Sequence, residues 1–197
     1  MGGGAYGGSI KSITGSCTAE RACFYGGSYG GVIGSITSSC TFEKACYYGG
    51  SYGGVIGNLA SSCTAEYACH FGGAYSSVIG NIANSCTAVD SCLDLGRGRG
   101  KVGHVTNSCT GKESCQGAGS KRGAIGSITQ SCKGVNACDG AGSGPSGDIT
   151  SSLNDCCKGD NACDDVTQAT LPTTCKAPAP TPPRPPASKV RECIIYL

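Results

Sequence analysis

The sequence predicts an all-β chain wound as a single-stranded parallel β-helix, a solenoid, and three features carry that expectation. Cysteines come in C-x5-C pairs whose first members, Cys17, Cys40, Cys63, Cys86, Cys109 and Cys132, fall 23 residues apart, with Cys23, Cys46, Cys69, Cys92, Cys115 and Cys138 following at the same step. Ile and Val keep this phase at Ile10, Ile33, Ile56, Ile79, Val102 and Ile125. Three positions on come Ile13, Ile36, Leu59, Ile82, Val105 and Ile128. Glycine recurs between the two columns at Gly34, Gly57, Gly80, Gly103 and Gly126. A fixed period of this length marks repeats that bury a continuous core only by stacking. A leucine-rich repeat of similar length needs a Leu ladder, and here the columns are β-branched.

Taken in order, residues 1–9 read as a partial repeat, because AYGGSI at 5–10 matches the second half of a unit that later reads SYGGVI. The chain therefore reads as a piece of a longer array. Its Met1-Gly-Gly-Gly opening has neither the basic segment nor the apolar stretch of a secretory leader. Residues 10–175 hold the β-helix itself. The Ile/Val columns are its strands, the recurring glycine marks a bend or bulge where a Cβ does not fit, and the GGSYGG stretches supply flexible corners. Stacking at ~4.8 Å per coil makes about seven coils a rod on the order of 35 Å long, with a right-handed wind expected. The last pair, Cys157 and Cys163, arrives two residues late with Cys156 beside it, as terminal repeats often depart from their array. Residues 176–189, KAPAPTPPRPPASK, carry six of the eight prolines and predict an extended polyproline-II linker before a short tail, 190–197.

Composition sets the covalent chemistry. With 34 Gly, 12 aromatics (nine Tyr and three Phe) and no Trp, a core of large side chains is out of reach, while 17 cysteines supply an alternative. Cysteine at this density points to disulfides made in an oxidising, extracellular setting. Each unit holds its own pair, so bridges within coils are the simpler scheme, and each small loop adds only a couple of kcal/mol in the entropy model. Bridges between equivalent cysteines of neighbouring coils fit the disulfide dihedral poorly, since those side chains point the same way. Cys156 is matched with Cys175 to lock the last coil, leaving Cys193 free or linked to another chain. The C-x5-C spacing with only His70 and His104 does not suit zinc, and no metal or cofactor is expected.

Several functions are excluded or disfavoured. No apolar run nears the ~20 residues of a membrane span, and a net charge of +2 does not suit a nucleic-acid binder. Units of equal length leave no inserted loop to wall an active site, and GRGRGK at 96–101 lacks the strand-loop-helix setting of a phosphate loop, so no enzymatic activity is expected.

The unit I-G-S-I-T-S-S-C-T-x-x-x-A-C resembles the Cys-rich parallel β-helix repeats of extracellular proteins of algae and other protists, over about residues 5–165. That resemblance implies the fold and an extracellular setting, with no particular activity. Locally, the stacked S-C-T is similar to the T-C-T stacks of beetle hyperactive antifreeze proteins, on a coil about twice as long and with Ser replacing the first Thr. It implies an ice-binding face.

Strand alternation with the cysteines inward turns Ser16, Ser39, Ser62, Ser85, Ser108 and Ser131 outward in one column. Thr18, Thr41, Thr64, Thr87 and Thr110 form the next. A third outward column holds Thr14, Thr37, Ala60, Ala83, Thr106 and Thr129. Together they would make a flat face able to order water, or simply a solvated strand surface. Tyr6, Tyr29, Tyr52 and Tyr75, with Tyr25, Tyr48 and Phe71, give the first half an aromatic side suited to sugar faces or another solenoid, or to shielding the turns. Glu20, Glu43 and Glu66 lie beside Arg21 and Lys44 as a solvated edge. Residues 97–133 are basic and 139–165 acidic, the first offering a patch for anionic polysaccharide and the second weak Ca²⁺ binding or end-to-end contact. The expected function is a non-enzymatic, secreted structural or surface-interaction module, for adhesion, matrix or glycan binding. Its expected partners are extracellular polysaccharide or copies of itself, and the alternative is an ice-binding protein.

Overall fold

The computed structural model describes residues 6–172 and Cys175. The expected linker at 176–189, the tail with Cys193 and residues 1–5 lie outside the described residues. The chain is a β-solenoid of parallel strands. Strands β1 (Ser9–Thr14) and β2 (Val32–Thr37) run unbroken, and later coils carry two short strands each: β3 (Val55–Ile56) and β4 (Leu59–Ala60), β5 (Val78–Ile79) and β6 (Ile82–Ala83), β7 (Lys101–Val102) and β8 (Val105–Thr106), β9 (Ala124–Ile125) and β10 (Ile128–Thr129). β11 (Leu153–Asn154) closes the series. All belong to one sheet that forks at β2 into two ladders, β3-β5-β7-β9 and β4-β6-β8-β10-β11. One ladder pairs Ile10, Ile33, Ile56, Ile79, Val102, Ile125 and Ile149, and the other Ile13, Ile36, Leu59, Ile82, Val105, Ile128 and Leu153. From first rung to last each ladder makes about six turns, one fewer than the coil count expected from the cysteine pairs.

The fork lies at the recurring glycine. Ile33 and Ile36 are both fully buried although three residues apart, so the Gly34-Ser35 step interrupts the two-residue alternation. A Cβ on Gly57 would stand 2.3 Å from Asn81 Oδ1 and 2.9 Å from the Asn81 nitrogen, so here the coils approach too closely for any side chain. At this bend side chains continue the ladder. Asn58 Oδ1 accepts the Ser35 N–H (2.8 Å), Asn81 Oδ1 the Asn58 N–H (2.8 Å), and His104 Nδ1 the Asn81 N–H (2.9 Å). Ser127 and Ser152 hydroxyls then receive the His104 and Ser127 N–H groups at 3.1 and 3.0 Å.

Seven disulfides close within their own coils, from Cys17–Cys23 to Cys157–Cys163, each with a sequence separation of 6. They stack as a sulfur column beside the Ile/Val ladders, and Cys40, Cys63, Cys86, Cys109 and Cys132 have no exposure. The expected Cys156–Cys175 bridge is not formed: both cysteines are buried next to the last bridge as free thiols, with sulfurs within 4.8 Å of each other. The segment around Val166 and Leu171 packs on the last coil, and Gln168 Oε1 accepts from the Ser151 N–H and hydroxyl at 3.2 and 3.1 Å.

The corners differ from expectation. They are not loose: Gly27, Gly50, Gly73, Gly96 and Gly119 each donate an N–H to the next coil at 2.8–2.9 Å, so the turns are stacked as regularly as the strands.

Candidate functional site

The S-C-T segment does not form the outward Ser column that strand alternation predicts. The first cysteine of each pair has φ between 53° and 57°, and the residue two before it, such as Ser38, Ser61 or Asn84, is also left-handed. Alternation holds only for extended backbone, and two left-handed residues around each serine turn it and the following cysteine inward together. Ser39, Ser62, Ser85, Ser108 and Ser131 therefore have no exposure, and Ser16 in the first described coil is half-buried. Thr18, Thr87 and Thr110 are exposed and Thr41 and Thr64 half-buried, so one column of the expected pair reaches solvent.

The serines instead form an internal ladder. Ser39 Oγ donates to the Thr37 carbonyl (2.8 Å) and accepts the Ser62 N–H (3.1 Å), and Ser62, Ser85 and Ser108 repeat both contacts one coil further on each time. The final rung is Ser131 Oγ, which accepts the Cys156 N–H at 3.1 Å. Cys156 thus occupies the serine position of the last unit.

The aromatic side is where its spacing places it, with the rings stacked along the solenoid axis. Tyr6–Tyr29, Tyr29–Tyr52 and Tyr52–Tyr75 have centroids 4.7–4.8 Å apart and planes within 8°. Tyr25–Tyr48 and Tyr48–Phe71 stack at 4.9 and 5.0 Å. Phe24, Tyr47 and His70 make a third column, also 23 apart, in which Tyr47 meets Phe24 stacked at 5.7 Å and His70 edge-on at 5.3 Å. Arg97 ends the array: its guanidinium lies 4.4 Å from the Phe71 centroid and 4.9 Å from that of Tyr75, and the Asp94 carboxylate holds it at 3.0 Å. Interior ring faces are consumed by their neighbours, so edges and phenol hydroxyls meet solvent. This geometry removes the ring faces that stacking against sugars needs.

No protein-family model, curated protein or solved structure matches this chain.

Electrostatics follow the columns. Burial among the rings, with Arg97 and Lys44 nearby, lowers the His70 pKa to about 4. The packed ring array and Tyr47 push the Tyr48 phenol up to about 12. Lys44 donates to the Tyr67 hydroxyl and pairs with Glu43, both at 2.9 Å, and these contacts hold its pKa high. Glu20 pairs with Arg21 at 3.6 Å, an exposed edge of little energetic weight. The basic run is divided: Lys101 lies on the sheet in β7 and Lys112 pairs with Glu113, whereas Arg97, held by Asp94, and Lys121 line one groove at a corner. Partial burial, then Asp164 and Asp165, raise the Asp139 pKa.

Proposed function

We propose that this chain is a non-enzymatic, secreted structural rod that presents a periodic surface to extracellular polysaccharide, as a matrix or adhesion module. The observation that carries the reading is the one-coil repeat itself, in which each 23-residue unit is closed by its own disulfide and hydrogen-bonded in register to its neighbours. Side chains are thereby held at fixed intervals on a stiff support, which lowers the entropy lost when a long, repetitive partner is bound. Seven disulfides are compatible with an extracellular setting.

The S-C-T segment gives ice binding less support, because the serine column of that face is inside the molecule. The test is co-sedimentation of the oxidised chain with insoluble cellulose, chitin and xylan, alongside analytical ultracentrifugation of the chain alone. Retention that disappears on disulfide reduction supports the reading. No retention on any of the three, with a monomer in solution, overturns it.

A further inference from the structure

Directly in line with the aromatic columns lies a trough that continues them in negative relief. The column of Tyr25, Tyr48 and Phe71 proceeds through Asp94, Gly117 and Gly140 to Asp165, with φ between 48° and 65° throughout. Backbone direction is therefore preserved, and Gly117 leaves empty the space that rings fill in the first coils, whereas at Gly140 the Asp165 carboxylate takes that space, 2.0 Å from where a Cβ would stand. A Cβ on Gly117 would find no atom closer than 3.8 Å, and one on Gly144, in the Tyr52 column, none within 4 Å. The resulting groove is about 270 Å³, lined by Asp94, Gln116, Lys121, Asp139, Ser143 and Asp165, and it adjoins Arg97.

The lining selects among ligands. An aromatic ring continuing the stack would present its electron-rich faces to Asp94 and Asp165 at the two ends of the column, an unfavourable contact. An anion would meet the Lys121 ammonium but also three carboxylates, Asp94, Asp139 and Asp165, while Arg97 is committed to Asp94. A divalent cation needs converging ligands, and among the described residues the groups of three ligand atoms within 4.8 Å consist of cysteines alone. What fits is a ring without charge or π faces, edged with hydroxyls that donate to carboxylates and accept from an ammonium and a carboxamide.

We infer that the trough is a saccharide site holding one ring of an uncharged oligosaccharide at the open Gly117 rung, with the Asp165 carboxylate closing its far end. The inference rests on the polysaccharide reading above and gives it a place. Gly117→Tyr is the decisive variant, since Tyr25 and Tyr48 adopt nearly the same φ in the same column (57° and 56° against 65°), so the fold has a precedent for the ring.

Calorimetric titration of the full oxidised chain with cellotetraose, mannotetraose and N-acetylchitotetraose should show binding of at least one. Gly117→Tyr should weaken it by about ten-fold or more, and Asp139→Asn by about three- to ten-fold. Tyr52→Ala, outside the trough, should leave it unchanged. Binding equally strong in Gly117→Tyr, with an unaltered melting profile, overturns the trough while leaving the polysaccharide reading intact. Binding of heparin or polygalacturonate in place of the neutral probes overturns the assignment of ligand class. Failure of soluble and insoluble glycans alike sinks both readings.

Discussion

The backbone N–H of Ser62 donates to the hydroxyl of Ser39 one coil away at 3.1 Å, and neither residue has any exposure. The same hydroxyl satisfies the Thr37 carbonyl, so each serine of the column ties two coils with one side chain.

Ser62→Ala removes the hydroxyl that accepts the Ser85 N–H, leaving that buried donor short of a partner, while the Ala60 carbonyl keeps the Asn84 N–H. Denaturant unfolding with disulfides intact should show a loss of about 1–3 kcal/mol. Ser91 and Ser114 are equally buried, yet their hydroxyls have no hydrogen-bond partner among the described residues, and Ala22, Ala45, Ala68 and Ala137 fill the same column. Ser91→Ala should therefore be neutral or stabilising by up to about 1–2 kcal/mol. Equal losses at Ser62 and Ser91 would refute the internal ladder.

Gly57→Ala tests the close approach at the fork of the sheet. Its Cβ meets Gly80 and Asn81 backbone atoms at 2.9 Å, which cannot swing aside as a flexible side chain would. A loss of about 1–3 kcal/mol is expected, read as a lower melting temperature. Gly159→Ala, with open space around it, should stay within about 0.5 kcal/mol of the parent.

His70 predicts a pH dependence. Its folded pKa, about 4, lies below the ordinary 6.5, so the unfolded chain binds the proton more readily between those values. Stability contributed by neutral His70 is complete above about pH 6.5, falls as the pH drops towards 4 and levels off below it. With the ring only half-buried, an effect on the order of 1 kcal/mol is expected after solvent screening. His70→Phe, which matches Phe24 in the same column, should flatten the profile, and a His70 imidazole titrating near 6.5 by NMR would contradict the packing.

Thermal hysteresis should be absent, and Thr64→Tyr should leave ice-crystal habit as it is in the parent chain. The Thr18 column and the Thr14, Thr37 and Ala60 column both reach solvent, but the serine column between them is buried, so the three expected columns do not make one continuous plane. Ice shaping that Thr64→Tyr abolishes would reinstate that face.

Much of the fold was legible because the period acts on every column at once. Disulfide pairing, both Ile/Val ladders and the glycine at the bend follow from residues 23 apart, and the structure holds them in register. The orientation of the serines was not legible, because Cys40 and Ser38 adopt left-handed backbone that their identities do not advertise. Inward and outward then no longer follow odd and even positions. The aromatic columns were legible as columns, but the direction in which the rings lie is a property of stacking, and it decides whether Tyr52 offers a face or an edge. The polar ladder from Asn58 to Ser152 is not legible in the sequence because it mixes Asn, His and Ser, alike only in presenting an acceptor at the right reach.

The last unit shows what changes of length the architecture absorbs. Ile149 pairs with Ile125 across 24 residues and Leu153 with Ile128 across 25, so one extra residue enters near the exposed Pro145-Ser146 corner and another beside Ser151 and Ser152. Neither displaces the rungs that follow. The rod behaves as a ruler graduated in coils: duplicating or deleting a whole 23-residue unit preserves the register of the ladders, and single added residues are taken up at corners while the disulfide segment keeps its separation of 6. Length in such a molecule can therefore drift by slippage between near-identical units, each step moving the ends by one strand spacing while the lateral surface keeps its pattern.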